Sequence, residues 1–129
     1  MTTYTLVRHS DALAVVRLGP GSEIPSWATS STLFSVTATA SETSLVCHAS
    51  TVPRKARREG PFVAYEVAGP LDFALTGVLS ALLAPLAEAQ VSVFALSTFD
   101  TDWILVRSDA AQPAEDAWQA AGHTVETHS

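Results

Sequence analysis

At 129 residues and 47% hydrophobic content, the chain is long enough for one modest domain or two very small lobes with a real core. Its formal charge of -6 disfavours nonspecific attraction to nucleic acid or anionic lipid. The single Cys47 excludes an internal disulfide. No charged N-terminal region followed by an apolar stretch suggests a signal peptide, so a reducing cytoplasm is the expected compartment. The longest apolar run, 73–87, is too short to span a membrane and carries Pro85, so it reads as a buried helix.

The first sixty residues hold strand patterns at Thr5 to Arg8, Ala12 to Leu18, Leu33 to Thr39 and Thr43 to His48. Helices are scarce there. The link from Gly19 to Ser31 contains Pro20, Gly21 and Pro25 and fits little more than one turn around Ile24 to Ala28. Cys47, beside Val46 and Ala49, reads as a small buried thiol. Arg54, Lys55, Arg57 and Arg58 form a local basic cluster on an otherwise acidic chain, which reads as a solvated connecting segment.

From residue 61 the pattern is clean. Phe62 to Val67 alternates as a strand, and GlyProLeuAsp at 69 to 72 makes a turn and a helix start. Phe73 to Ala89 is amphipathic, with apolar residues at 75, 78, 79, 82, 83 and 86. Asp72 is a candidate N-cap, and Pro85 is expected to kink the last turn. Val91 to Val106 reads as a hairpin reversing at Ser97 to Asp102. A second helix follows, opened by Pro113 and closed by Gly122, and then a last strand over Thr124 to Thr127. Strand, helix, strand, strand, helix, strand is the order of an α+β, ferredoxin-like sandwich, with two helices on one face of a four-stranded antiparallel sheet. Both faces of the hairpin are apolar, so something beyond two helices is expected to cover the other face: the rest of the chain or a second copy.

An internal echo relates the halves. Residues 39 to 46 align with 97 to 104 at an offset of 58, placing Glu42 over Asp100. The expected organisation is therefore two tandem lobes, a helix-poor one over 1–60 and a complete one over 61–129.

Candidate chemistry gathers in loops. The helix start at Asp72, the turn carrying Asp100 and Asp102, and the first-lobe tip at Glu42 each have a plain structural role as cap, turn or solvated tip. Together they offer helix amides for a carboxylate and acidic oxygens for an ammonium, and an amino acid carries both. His9, His48, His123 and His128 lack paired spacing, so no metal site is expected, and nothing indicates a cofactor. LeuValArgHisSer at 6 to 10 is similar to the opening of histidine phosphatases, but Ser10 stands where that family has Gly and the rest of the pattern is missing. A phosphatase is the remote alternative.

IleProSerTrp at 24 to 27, SerGluThrSerLeuValCys at 41 to 47, GlyProLeuAspPheAlaLeuThrGlyValLeu at 69 to 79, ProLeuAla at 85 to 87 and ValSerValPheAlaLeuSerThrPheAspThrAsp at 91 to 102 carry a family resemblance. With these segments the chain resembles small bacterial tandem ACT-domain proteins, similar to the ACT modules of the CASTOR arginine sensors. The resemblance implies two ACT-type lobes and a noncatalytic regulatory role in which a free amino acid binds between modules. It places the contacts at Gly69, Asp72, Gly77, Thr98, Phe99, Asp100 and Asp102, and it implies a homodimer if a four-module arrangement is needed. The rival expectation is a structural or interaction module that keeps the fold without a ligand.

Overall fold

The computed structural model describes residues 2–69, 71 and 76–128. In chain order its elements are β1 (Thr5–Leu18), β2 (Ser35–Ala38), β3 (Thr43–His48), β4 (Arg57–Val67), α1 (Val78–Glu88), β5 (Val93–Ser97), β6 (Asp102–Arg107), α2 (Ala111–Ala120) and β7 (Thr124–Thr127). The chain divides into two compact units, Met1–Ser10 with Val63–Ser129, and Asp11–Phe62. The division does not follow a simple cut after residue 60, because β1 and β4 each contribute residues to both units.

In the larger unit the order from β4 to β7 is the ferredoxin-like succession expected from the sequence. Alternation along β4 turns Val63, Tyr65 and Val67 to one face, where they meet Val78, Leu82 and Leu86 of α1 and Ala111, Ala114 and Trp118 of α2. Trp118 is fully buried, donates its Nε1 hydrogen to the Leu82 carbonyl at 2.8 Å, and sits edge-on to Tyr65 with centroids 4.9 Å apart. Tyr65 donates its hydroxyl to Glu115 Oε2 at 2.5 Å, and Arg8 Nη1 donates to the same oxygen at 2.7 Å. Burial, reinforced by the Glu115 carboxylate, pushes the Tyr65 phenol well above the ordinary tyrosine range.

Several elements depart from expectation. The polar run Arg8 to Asp11 does not break the first strand; β1 is continuous over 14 residues. Its first part pairs in parallel with β7, Thr5 opposite Thr124 and Arg8 opposite Thr127, so side by side the strands run β7, β1, β4, β6, β5. β7 therefore meets an added strand, where a four-stranded antiparallel sheet would have given it β4. The first helix was expected from Phe73; α1 starts at Val78, preceded by Gly77 at φ 81°, while Asp72 and its expected cap lie outside the described residues. Pro85 lies inside α1, which continues to Glu88. α2 starts two residues before Pro113, which occupies the first turn, where an amide would have no intrahelical acceptor. Trp103 to Val106 on β6 are all buried, so both faces of this strand are covered within one chain. Among the described residues no helix is long and apolar enough to cross a membrane.

The smaller unit orders its strands β2, β3, β1, β4. Ala14, Val16, Leu45, Cys47 and Val52 form its core, and burial raises the Cys47 thiol above its ordinary value. It is helix-poor as expected; residues 25 to 28 make one turn, Ala28 N donating to Pro25 O at 3.1 Å. The basic cluster is more than a connector: Arg57 and Arg58 open β4, and Arg58 Nη1 donates to the carbonyls of Val52 and Pro53, each at 3.0 Å.

The two hairpins share one turn. Thr39 N donates to Glu42 O at 2.8 Å while Glu42 N donates to Thr39 Oγ1 at 3.1 Å; Thr98 N donates to Thr101 O at 2.8 Å while Thr101 N donates to Thr98 Oγ1 at 3.3 Å. Ala38 pairs with Thr43 as Ser97 pairs with Asp102, so the structural offset is 59 and Ser41, not Glu42, corresponds to Asp100.

Trp118→Ala is expected to lower stability by about 3–5 kcal/mol, read from the urea midpoint. Because the folded state keeps the Tyr65 proton, its contribution is complete below the ordinary tyrosine value of about 10 and is lost as pH rises above it. Urea midpoints measured between pH 8 and 11 should fall less steeply in Tyr65→Phe than in the wild type.

Candidate functional site

The β5–β6 turn is anchored from behind. Thr101, 7% exposed, donates its hydroxyl to Val67 O at 2.6 Å, and Leu71 N donates to Asp100 O at 2.8 Å. These bonds tie the turn to the end of β4 and to the segment leading to α1. Gly69 is required there, since a Cβ at this position would lie 2.8 Å from Leu71 N and 3.6 Å from Asp100 O.

In front of the turn lies a cavity of about 300 Å³, lined by Leu71, Gly77, Val78, Leu79 and the whole of Ser97 to Asp102. The start of α1 contributes backbone. Its N-cap, Gly77, makes no side-chain cap bond, and the first intrahelical bond runs from Ala81 N to Gly77 O at 2.9 Å. The amides of the first turn thus form the positive end of the helix, beside Leu71, Val78 and Leu79 as apolar wall. The turn contributes the Asp100 and Asp102 carboxylates. Ser97 Oγ donates to Asp102 Oδ1 at 2.5 Å, a bond made across paired strand ends, which orients that carboxylate. Phe99 is 82% exposed at the tip. A helix amide end, two carboxylates and apolar side chains within one small cavity can receive a molecule carrying both an anionic and a cationic group.

Of the residues singled out from sequence, Gly77, Thr98, Phe99, Asp100 and Asp102 come together as cavity lining. Gly69 stands behind the turn as a positioning residue. Asp72 lies outside the described residues, and Glu42 belongs to the other unit, at the β2–β3 turn. Ser97 and Thr101 were passed over as site residues. The register that sets Ser97 opposite Asp102 was the available signal for the first, and the burial of Thr101 required the tertiary fold.

The LeuValArgHisSer segment is occupied otherwise. It lies within β1, where Arg8 pairs with Glu115 and His9 Nε2 lies 3.0 Å from Glu66 Oε1 and stacks on Trp103, centroids 5.2 Å apart. Among the described residues no group of His, Cys, Asp or Glu side chains is arranged to hold a metal ion.

Residues 59–119 match the family model of the ACT domain. A second model, described as an N-terminal domain, matches residues 11–55. No curated protein matches the chain. Among solved structures, the crystal structure of protein Atu0741 from Agobacterium tumefaciens is 29% identical, covers 100% of this chain and 96% of its own, and superposes with a TM-score of 0.92. A Vibrio cholerae protein, VC0802, described as a possible transport protein, is 17% identical with a TM-score of 0.68, covering 90% of this chain and 89% of its own. The regulatory subunit of aspartate kinase from Thermus flavus is 8% identical with a TM-score of 0.65, covering 94% of this chain and 99% of its own. The last two likenesses are of fold. The ACT match includes the cavity wall on α1 and the turn between β5 and β6.

Gly69→Ala is expected to displace the Leu71 backbone and weaken the Leu71–Asp100 bond, costing about 1–3 kcal/mol of stability. Backbone NMR should show the change centred on Leu71, Asp100 and Thr101.

Proposed function

We propose that the protein is a noncatalytic regulatory module that binds a free amino acid in the cavity between the start of α1 and the Ser97 to Asp102 turn. One observation carries the reading: within the ACT-matched region, a single cavity collects helix amides suited to a carboxylate and two aspartates suited to an ammonium or cationic side chain. Leu71, Val78, Leu79 and Phe99 supply apolar surface for the remainder of the ligand. The resemblance to arginine-sensing ACT modules favours a basic amino acid within this class.

We also read the chain as two tandem ACT-type lobes. The shared four-residue turn at an offset of 59 supports a duplication, with the first lobe having lost its helices. The protein is taken to work in the cytoplasm, as the lone buried thiol favours. A homodimer fits the outer strand β5: ValPheAlaLeuSer has no charge or proline to block an edge, and Val93 is exposed. The same edge favours the second reading, an interaction module with no ligand.

A thermal-shift screen against the twenty amino acids separates these readings. A specific ligand at about one hundred times its dissociation constant should stabilise by about 2.7 kcal/mol, and Asp102→Asn should remove the shift while leaving the unliganded melting point nearly unchanged. No shift with any amino acid, together with a dimer seen by light scattering, would leave the interaction module standing.

A further inference from the structure

Four of the seven basic side chains of this acidic protein stand between Arg54 and Arg58, and Glu59 is the one acidic residue between 43 and 65. A braced turn presents them. Ala56 N donates to Pro53 O at 3.0 Å, closing a turn with Arg54 and Lys55 at its two central positions. Arg58 Nη1 donates to the carbonyls of Val52 and Pro53, each at 3.0 Å, and so ties the base of the turn to the start of β4. Val52 and Ala56, on either side of the tip, pack into the core of the smaller unit. The side chains of Arg54, Lys55 and Arg57 are exposed and make no hydrogen bond or ion pair among the described residues. The backbone bond and Arg58 suffice to close the turn, so these three cations are spare.

The same core comes to the surface at the edge of the sheet. Val16 pairs with Leu45 and Leu45 with Val36, so the three form one row across β1, β3 and β2. Val16 and Leu45 are fully buried and pack with Val52, whereas Val36, on the outer strand, is 39% exposed. Phe34, two residues earlier, is 42% exposed. From residue 31 to 41 the chain has no charge or proline to protect this edge.

We propose that this face of the smaller unit docks an acidic segment of a partner protein, with carboxylates against Arg54, Lys55 and Arg57 and apolar side chains against Phe34 and Val36. Cations without internal partners are open to carboxylates, and arginine receives them in a two-bond fork. The negative charge on the rest of the chain opposes an extended polyanion such as a DNA duplex, which carries one charge about every 1.7 Å. That charge is screened beyond about 8 Å at physiological salt, so a short segment held at the turn feels chiefly the local cations. Exposed valine and phenylalanine suit the side chains of a peptide and have no counterpart on a phosphate backbone. The cavity beside α1 belongs to the other unit, so docking does not require a ligand there.

Fluorescence anisotropy of a dye-labelled peptide of alternating Glu and Leu, titrated with the full chain, tests this. Binding should weaken about tenfold in the double variant Arg54→Glu with Lys55→Glu, severalfold in Val36→Ser, and steeply as salt is raised. The double variant should keep the wild-type urea midpoint, because both side chains are exposed and unpartnered. A peptide with Gln in place of Glu should bind the wild type about tenfold more weakly. No binding of the acidic peptide, or equal binding by the double variant, overturns the proposal. Tighter binding of a labelled DNA duplex or of phosphatidylserine vesicles than of the peptide assigns the cations to phosphate and overturns it too. So does a dimer, seen by light scattering, that Val36→Ser abolishes, since that gives the face to a second copy.

Discussion

The continuity of β1 is the constraint on which the other elements depend. A 14-residue strand pairs with β7 through its first residues and with β3 through its last, and each unit draws a strand from it. Continuity requires that Arg8, His9 and Asp11 find partners, because a polar run inside a paired strand otherwise leaves half-buried polar groups unsatisfied. Each has one: Glu115 for Arg8, Glu66 for His9, Thr32 for Asp11. The residues that make this strand look interrupted are those that fasten it.

Glu115 shows how such fastening reaches the core. Its Oε2 accepts from Tyr65 on β4 and Arg8 on β1, so one carboxylate on α2 joins the helix to two neighbouring strands. Trp118, one turn further along α2, bonds to the Leu82 carbonyl of α1 and thereby sets the two helices against each other. α1 is thus located by its buried side, which is how its amide end comes to rest beside the cavity. The cavity wall depends on packing made about one turn further along α1.

The sequence carried the local order of the larger unit well. The sequence patterns located β3 and β7 to the residue and the β5–β6 hairpin within two, because strand-forming apolar residues bounded by turn residues mark such short segments locally. It carried long-range pairing poorly. Arg8 and Glu115 are 107 residues apart, and nothing in LeuValArgHisSer indicates that the arginine serves a helix so distant. The parallel partner of β7 was hidden for the same reason: the ferredoxin-like order supplies β4 as its neighbour, and only tertiary structure places β1 there. The echo between hairpins differs by one residue in register, since the acidic residues match Glu42 with Asp100, whereas the hydrogen bonds match Thr39 with Thr98.

That one-residue correction bears on how the two turns differ. Aligned by their bonds, the turn residues Ser97, Thr98, Phe99 and Asp100 correspond to Ala38, Thr39, Ala40 and Ser41, and Asp102 corresponds to Thr43. The threonine that builds the turn is present in both hairpins, while the aromatic ring, both carboxylates and the serine that orients Asp102 are confined to the second. The same backbone device therefore stands in both hairpins, and the cavity-lining side chains stand in one. A turn retained for folding alone needs only the threonine and its two backbone bonds. The additional side chains on the β5–β6 turn, where the first hairpin has Ala40, Ser41 and Thr43, all line the cavity beside α1.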